Sequence, residues 1–222
     1  MKTWIIITVS LINFMYDVRK REYTTAINRI VDKFKNNPNF KIIIVENTSS
    51  INKTIGTITH KTFLDMFGVP VFYTRNNLIL NHTHNYGIVE LIDIFDCINK
   101  FQIPDDDFIV KLTGRYIITE DSPFIELIEK VDKTPYSAVV RFGQYDDVAV
   151  MEKYPCISTG LVGLKCKYVK QIQIPPMDED CPIEYCWAKV VCGLNDSEIC
   201  MLPKLGILIR PKHFLDLYYA CM

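Results

Sequence analysis

Apolar runs rich in valine and isoleucine alternate with helix-length segments through the first half of the chain, and this alternation constrains the fold more than any other feature. The runs predicted to be strands are 4–11, 41–47, 69–74 and 107–112, and the segments predicted to be helices are 21–37, 59–68 and 84–101. Because the strand runs are continuously apolar, we expect strands covered on both faces by helices. This predicts an α/β protein with a mostly parallel central sheet.

The second half contains shorter elements. Helices are predicted at 122–131, near 165–172 and at PIEYCWAKVVCGL, and short strands at SAVVRFG, AVMEKY, EICMLP and LGILIR. No linker, repeat or low-complexity segment divides the chain, so one domain over residues 1–222 is the simpler expectation.

The net charge and the spacing of the cysteines indicate which classes of protein this sequence fits. The net charge of −1 gives no broad basic surface for nucleic acid. The eight cysteines form no CxxC pair, which favours reduced thiols and a cytoplasmic protein. The apolar start, MKTWIIITVSLINFM, is too short to span a bilayer and lacks a cleavage signal, so we interpret it as a buried first strand.

Polar residues follow each predicted strand. In parallel α/β sheets, ligands bind beyond the carboxyl ends of the strands. The candidates selected by this rule are Ser10 to Asn13, Glu46 with Asn47, Thr74 to Asn77, and Lys111 to Tyr116.

The stretch FIVKLTGRY, residues 108–116, ends a strand with two cations and a glycine. An arginine fork and a lysine charge four residues apart suit a diphosphate. Gly114 would let the backbone approach such a ligand. The alternative is a solvated strand-end pair with a turn glycine.

Other polar clusters are less specific. Asn85, Gly87 and Glu90 begin a helix, where anions or hydroxyl-rich ligands bind; a surface carboxylate is the alternative for Glu90. The run Asp105 to Asp107 could hold Mg²⁺ or Mn²⁺ but precedes its strand, so we interpret it as a solvated turn. His82 with His84, and His213, lack companion ligands.

The loop and helix MDEDCPIEYCWAKV contain the candidates for a catalytic base. Glu184 opens the helix, with Trp187 one turn on as an aromatic that could stack on a sugar; Asp178, Glu179 and Asp180 compete for the role. Ser158 and Thr159, in STGLVG, could line an acceptor pocket or form a turn.

Taken in order, TVSLIN, IIIVENT, NYGIVELI, FIVKLTGRY, CISTGLVGLKCKYV and IEYCWAKV resemble small glycosyltransferases of the GT-A fold, of the bacterial capsule or lipopolysaccharide type or from large DNA viruses. The resemblance implies hexosyl or deoxyhexosyl transfer from a nucleotide-diphosphate sugar to a glycan or other hydroxyl acceptor. It also implies a donor-binding half, 1–116, and an acceptor-binding half, 117–222. For a viral protein, the location would be the host cytoplasm.

The resemblance assigns roles to the candidates. The nucleoside would lie near Ser10, Asn13, Glu46 and Asn47, and the diphosphate towards the fourth strand; the remaining donor-site residues are Asn85, Gly87, Glu90, Gly114 and Tyr116.

One departure concerns the metal. Most GT-A enzymes place Asp-x-Asp after the fourth strand, whereas this chain has Lys-Leu-Thr-Gly-Arg-Tyr. We therefore expect Lys111 and Arg115 to stabilise the leaving diphosphate, so that no cofactor is required. A role for Mn²⁺ or Mg²⁺ stays open as the alternative. Glu184 is the expected base if the reaction inverts configuration.

Two alternatives stay open. One is a metal-dependent glycosyl- or nucleotidyltransferase with Asp105 and Asp107 as ligands. The other is a non-catalytic protein that binds nucleotide sugars or glycans on the same fold. The sequence does not predict the donor, the acceptor or the oligomeric state.

Overall fold

A computed structural model describes residues 1–11, 16–48, 54–55, 58–80, 86–143, 157–176, 182–209 and 219–221. The strands in chain order are β1 Thr3–Val9, β2 Phe40–Glu46, β3 Thr54–Ile55, β4 Ile58–Thr59, β5 Val71–Tyr73, β6 Phe108–Thr113, β7 Ile117–Ile118, β8 Ala138–Val140, β9 Leu161–Lys165, β10 Ile199–Met201, β11 Ile207–Ile209 and β12 Tyr219–Cys221. The helices are α1 Tyr16–Phe34, α2 His60–Asp65, α3 Asn76–Ile79, α4 Tyr86–Phe101, α5 Pro123–Ile128, α6 Cys166–Val169 and α7 Ile183–Val191, with single 3-10 turns at Val131–Lys133 and Asp196–Glu198.

Seven strands form the central sheet, in the order β10-β8-β9-β6-β1-β2-β5. Strand β1 lies parallel to both β2 and β6, and β5 extends the parallel set beyond β2. Strand β9 runs antiparallel to β6 and to β8. Four of these strands come from residues 1–116 and three from residues 117–222. A small sheet (β12-β11-β7) and the hairpin β3–β4 lie outside it.

Two hydrophobic clusters cover the sheet on opposite faces. Alternate residues of β1 divide between them, since Ile5 and Ile7 pack with α1 whereas Trp4 and Ile6 pack with α4 and α7. All seven residues of β1 are buried. A strand buried on both faces favours apolar side chains on both, which is why the central residues of β1 do not alternate between apolar and polar.

The expected α/β fold with a mostly parallel sheet is therefore confirmed. The apolar start is the buried central strand β1. Helix α1 begins at Tyr16 rather than at residue 21, and LVGLK is a strand of the central sheet rather than part of a loop. The strand predicted in AVMEKY lies outside the described residues. Within the described ranges, no helix combines the length and apolar character needed to cross a bilayer.

The carboxyl ends of β1, β2, β5 and β6 meet along one side of the sheet. We call this side the carboxyl edge and define it by residues 8–11, 46–48, 73–76 and 113–116. The antiparallel β9 starts at the same side, because Leu161 pairs with Leu112 and the Thr113 amide donates to the Gly160 carbonyl at 2.8 Å. Residues 158–160 therefore also border the carboxyl edge.

Candidate active site

The ammonium group of Lys111 lies inside the protein, beneath the carboxyl edge. The side chain is 2% exposed, and its nitrogen has three acceptors: Glu90 Oε2 at 2.8 Å, Thr113 Oγ1 at 2.8 Å and the Thr159 carbonyl oxygen at 2.5 Å. A lysine ammonium has three N–H donors. The protein itself therefore occupies the full hydrogen-bonding capacity of Lys111.

Glu90 is the anionic partner in this network. Its side chain is 23% exposed. Besides the ammonium of Lys111, it accepts a hydrogen bond from the Thr8 hydroxyl of β1, and the Thr113 hydroxyl lies 3.5 Å away. One carboxylate thus joins helix α4 to strands β1 and β6. The sequence had left two roles open for Glu90, a contact with a hydroxyl-rich ligand and a surface carboxylate.

The geometry changes the role expected for Lys111. Direct contact with a diphosphate would require the ammonium to give up Glu90, Thr113 or Thr159, and the side chain has almost no exposed surface from which to make such a contact. The physical reason is charge compensation, because a buried cation is held by a paired anion. The arrangement favours an indirect role in which Lys111 fixes the residues around it.

Arg115 is a cation of the carboxyl edge that follows β6. It lies in a tight turn closed by the Tyr116 amide, which donates to the Thr113 carbonyl at 2.9 Å. The residue is partly buried, and its guanidinium lies over the Tyr116 ring, 4.9 Å from the centroid. Within the described part of the chain, the guanidinium has no hydrogen-bond or ion-pair partner. Its N–H groups are available to an anion.

Close packing sets the shape of this turn. A Cβ at Gly114 would lie 2.7 Å from Val9 Cγ1 and 2.9 Å from the Thr8 carbonyl oxygen. A Cβ at Gly160 would lie 2.0 Å from the Tyr116 ring. Both glycines are therefore required by contact with protein atoms, and the space predicted for a ligand at Gly114 is occupied by β1.

Glu184 reaches the same network from the other half of the chain. It lies in the first turn of α7, partly exposed, and the Thr159 hydroxyl donates to its Oε1 at 3.3 Å. Thr159 thus connects Glu184 to Lys111 through its hydroxyl and its carbonyl group. The suggestion that Trp187 stacks on a sugar is wrong, because its side chain is 2% exposed and packs in the core with α4.

The predicted nucleoside end lies at β1 and β2. The Glu46 carboxylate is fully buried, and its Oε1 accepts the backbone amides of Leu11 and Thr48, each at 3.1 Å, and the Thr48 hydroxyl at 2.5 Å. Glu46 therefore holds the two loops that follow these strands. In this part of the site, Ser10 is partly exposed and Asn47 is buried.

Asp93 is a site residue that the sequence reasoning missed. It is fully buried on α4 and accepts hydrogen bonds from three donors, Asn47 Nδ2 at 2.6 Å, Thr74 Oγ1 at 2.7 Å and Asn76 Nδ2 at 2.8 Å. Asn76 also donates to Asp96 at 2.8 Å. Glu90, Asp93 and Asp96 recur every third residue on a mostly apolar helix, and this spacing was the available signal.

Burial controls the ionisation of Asp93. Loss of hydration raises its pKa from the ordinary 3.8 to about 6, the charge of Glu90 adds to the rise, and the hydrogen bonds from Thr74, Asn47 and Asn76 oppose it. The carboxylate is therefore mainly ionised at neutral pH and becomes protonated in mild acid.

The acidic run 105–107 is only partly a solvated turn. Asp105 forms an exposed ion pair with Lys170 at 2.5 Å. Asp107 is instead buried, and it accepts the Lys2 amide at 2.7 Å and the Trp4 indole N–H at 2.9 Å. It anchors the start of β1, at the opposite end of the sheet from the carboxyl edge.

Several sequence candidates lie outside the described residues: Asn13, His82, His84, Asn85, Asp178, Glu179, Asp180 and His213. Gly87 is described in the first turn of α4, close in sequence to Glu90. The roles predicted for the donor-site residues stay predictions.

The described residues do not fit the divalent metal that the GT-A resemblance implies. The end of β6 presents Thr113 and Arg115 rather than carboxylates, and Glu90 is held by Lys111. No group of three metal-ligating side chains occurs within the described ranges.

Comparison with solved structures identifies the fold. The chain matches TarS from S. aureus with a TM-score of 0.57 at 11% identity, over 93% of this chain and 36% of that one. It matches the mannosyltransferase PcManGT from Pyrobaculum calidifontis, solved with GDP-Man and Mn²⁺, with a TM-score of 0.55 at 9% identity, over 96% and 58%. A third match is a Bacillus anthracis structure with the proposed identity of a glucose-1-phosphate thymidylyltransferase, with a TM-score of 0.52 at 15% identity, over 91% and 86%.

The chain has the GT-A fold of nucleotide-diphospho-sugar transferases, as its sequence predicted. It spans about a third of the TarS chain and somewhat more than half of the mannosyltransferase chain. No family model matches the sequence, and no curated protein does either.

The buried ion pair leads to a stability prediction. Replacing Lys111 by Met should lower the free energy of unfolding by about 3 kcal/mol, because Glu90 would keep its charge without a partner. The double variant Lys111→Met, Glu90→Gln should recover part of that loss. Urea denaturation of both variants measures the difference.

The matched control is Lys170→Met, since Lys170 and Asp105 are 42% and 63% exposed and an exposed pair contributes about 1 kcal/mol or less. Equal losses for Lys111→Met and Lys170→Met would contradict a central role for the buried pair.

The raised pKa of Asp93 leads to a second prediction. Between pH 4 and pH 6 the folded protein binds more protons at Asp93 than the unfolded chain does, so this group's contribution to stability falls as pH rises through that window. The difference between 3.8 and about 6 corresponds to roughly 3 kcal/mol. The free energy of unfolding of the wild type minus that of Asp93→Asn should fall by about this amount from pH 4 to pH 7.

Denaturation at several pH values measures this difference, and Asp132→Asn, at an exposed position, controls for removing a carboxylate. A difference that stays constant over the whole pH range would show that Asp93 does not titrate as described.

Proposed function

We propose that this chain is a glycosyltransferase that moves a sugar from a nucleotide-diphosphate sugar to a hydroxyl acceptor, and that it stabilises the leaving diphosphate with Arg115 rather than with a protein-bound metal. The observation that carries the proposal is the guanidinium of Arg115, which lies at the carboxyl edge of a GT-A sheet and has no hydrogen-bond or ion-pair partner among the described residues. Residues 1–116 would bind the donor, and residues 117–222 would bind the acceptor.

The chemistry of the transfer explains why a cation is needed. The bond between the anomeric carbon and the diphosphate breaks, and its electron pair stays on the phosphate oxygen. Negative charge therefore grows on the leaving group. A guanidinium held in place by a turn and an aromatic ring is a preorganised donor for that charge.

Lys111 supports Arg115 indirectly in this proposal. Its ammonium holds the Thr113 hydroxyl at the start of the Arg115 turn and the Thr159 carbonyl beside Glu184. Glu90 compensates its charge, so the net positive charge offered to the diphosphate comes from Arg115.

Glu184 is the proposed base for an inverting reaction. Its carboxylate would accept the proton of the acceptor hydroxyl while the acceptor oxygen bonds to the anomeric carbon. The hydrogen bond from Thr159 holds Glu184 on the same side of the sheet as the Arg115 turn. Hexosyl or deoxyhexosyl specificity is part of the proposal, by resemblance alone.

Nucleotidyl transfer is the second candidate, because the thymidylyltransferase-like structure from Bacillus anthracis shares the fold. The two reactions consume different substrates. A nucleotidyltransferase uses a nucleoside triphosphate and a sugar phosphate and releases pyrophosphate, whereas the proposed reaction uses a nucleotide sugar and releases a nucleoside diphosphate. A non-catalytic binder would release neither.

Arg115→Ala is the direct test. We expect kcat/KM for sugar transfer, or for donor hydrolysis without acceptor, to fall by about 10²–10³-fold, as for loss of one preorganised donor, with the melting temperature little changed. Arg115→Lys should recover only part of the rate, because lysine lacks the planar fork.

Activity of the wild-type protein should persist in EDTA.

Arg21→Ala is the charge-matched control, since Arg21 is a solvent-exposed residue of α1. Transfer at the wild-type rate by Arg115→Ala would falsify the proposed role of Arg115, and complete loss of wild-type activity in EDTA would restore a metal to the mechanism.

Glu184→Gln tests the base. The amide keeps an acceptor for the Thr159 hydroxyl but cannot take a proton, so kcat should fall by about 10²–10⁴-fold while KM for the donor changes little. Thr159→Val serves as the companion variant and should have a smaller effect. A Glu184→Gln enzyme with normal kcat would remove Glu184 from this role.

A further inference from the structure

The polar groups at the nucleoside end form a chain of hydrogen bonds with a fixed direction. Ser10 Oγ lies 2.8 Å from Asn47 Oδ1, and Asn47 Nδ2 lies 2.6 Å from Asp93 Oδ2. An ionised carboxylate only accepts hydrogen bonds, so Asp93 turns the NH₂ of Asn47 towards itself. The Asn47 carbonyl then faces Ser10, and the Ser10 hydroxyl must donate its single proton to it.

The backbone amide and carbonyl of Ser10 also form hydrogen bonds within the protein. Its amide donates to the Tyr23 hydroxyl at 3.1 Å, and its carbonyl accepts from that hydroxyl at 3.2 Å. Ser10 is partly exposed at the carboxyl edge, whereas Asn47 and Asp93 are buried behind it. The hydrogen-bonding capacity that Ser10 can offer outward is therefore the free lone pair of its hydroxyl oxygen.

The other contacts of Asp93 stabilise this direction. Its Oδ1 accepts from Thr74 and Asn76, so three donors, from the residues that follow β2 and β5 and from α3, converge on one acceptor-only group. Reversing the direction of these hydrogen bonds would require Asp93 to donate a hydrogen bond to Asn47. Its ionised form has no proton to give.

We propose, on the basis of the proposed function, that Asp93 is a positioning residue which makes Ser10 an obligatory hydrogen-bond acceptor, so that the site selects nucleotides presenting an O–H or N–H donor to Ser10. Two groups of a nucleotide supply such a donor, a ribose hydroxyl and an N–H of the base. Ser10 determines specificity by contact, and Asp93 acts through Asn47.

The test uses nucleoside diphosphates with single donors removed. Among UDP, GDP, CDP and ADP, the tightest binder found by calorimetry serves as the parent. Its 2′-fluoro and 3′-fluoro deoxy analogues remove one ribose O–H each, and methylation of every base N–H, including both hydrogens of an exocyclic amine, removes the base donors. For the wild type, we expect one analogue to bind about tenfold more weakly than the parent, as for loss of one hydrogen bond.

The variants identify the cause of that loss. In Ser10→Ala the parent and the affected analogue should bind equally, because the acceptor is gone. In Asp93→Asn, the new NH₂ occupies the place of Oδ2, while its carbonyl retains Thr74 and Asn76. Asn47 can then reverse its amide, which frees the Ser10 proton to point outward, so the discrimination should disappear or reverse. Asp96→Asn, on the next turn of α4, is the control and should keep the wild-type discrimination.

The outcomes separate this inference from the proposed function. If a parent binds and supports sugar transfer but the discrimination is absent from the wild type, or is unchanged in Ser10→Ala, the inference is wrong and the function stands. Discrimination retained in a folded Asp93→Asn protein likewise removes Asp93 from the role. If no nucleoside diphosphate binds and no nucleotide sugar turns over, the proposed function and the inference fail together.

Discussion

The ion pair between Lys111 and Glu90 is the interaction on which the site depends. It joins β6 to α4, and through the Thr8 hydroxyl and the Thr159 carbonyl it also reaches β1 and the start of β9. A charge placed so deeply is tolerated only with a partner and filled hydrogen bonds, and both conditions are met. The elements that carry Arg115 and Glu184 are fixed relative to each other as a result.

Helix α4 organises the carboxyl edge with three acidic residues on successive turns. The Glu90 carboxylate accepts hydrogen bonds from Lys111 and Thr8. The Asp93 carboxylate accepts hydrogen bonds from Asn47, Thr74 and Asn76. Asn76 also donates to Asp96. One helix thus gathers the ends of four parallel strands. Among the described residues, the guanidinium of Arg115 makes no contact with these carboxylates, so its N–H groups stay available to an anion.

The sequence was sufficient for the fold but only partly for the site. Strands buried on both faces, such as β1 and β6, have mostly apolar sequences that identify them directly. Lys111 and Glu90 were each selected as candidates, yet their pairing depends on how α4 crosses the sheet, which no local pattern encodes. Asp93 was missed because its partners come from separate segments. Trp187 was misassigned because an aromatic residue on an amphipathic helix suits a core as well as a sugar surface.

The contact between Gly160 and the ring of Tyr116 links two distant segments sterically. No side chain fits at position 160 while the tyrosine keeps its place beside Arg115. A change at either position must therefore be matched at the other, and the two should covary during evolution. Residues 117–222, which include Gly160, can in this way constrain which sequences are tolerated at the turn formed by residues 113–116, although they form no part of that turn.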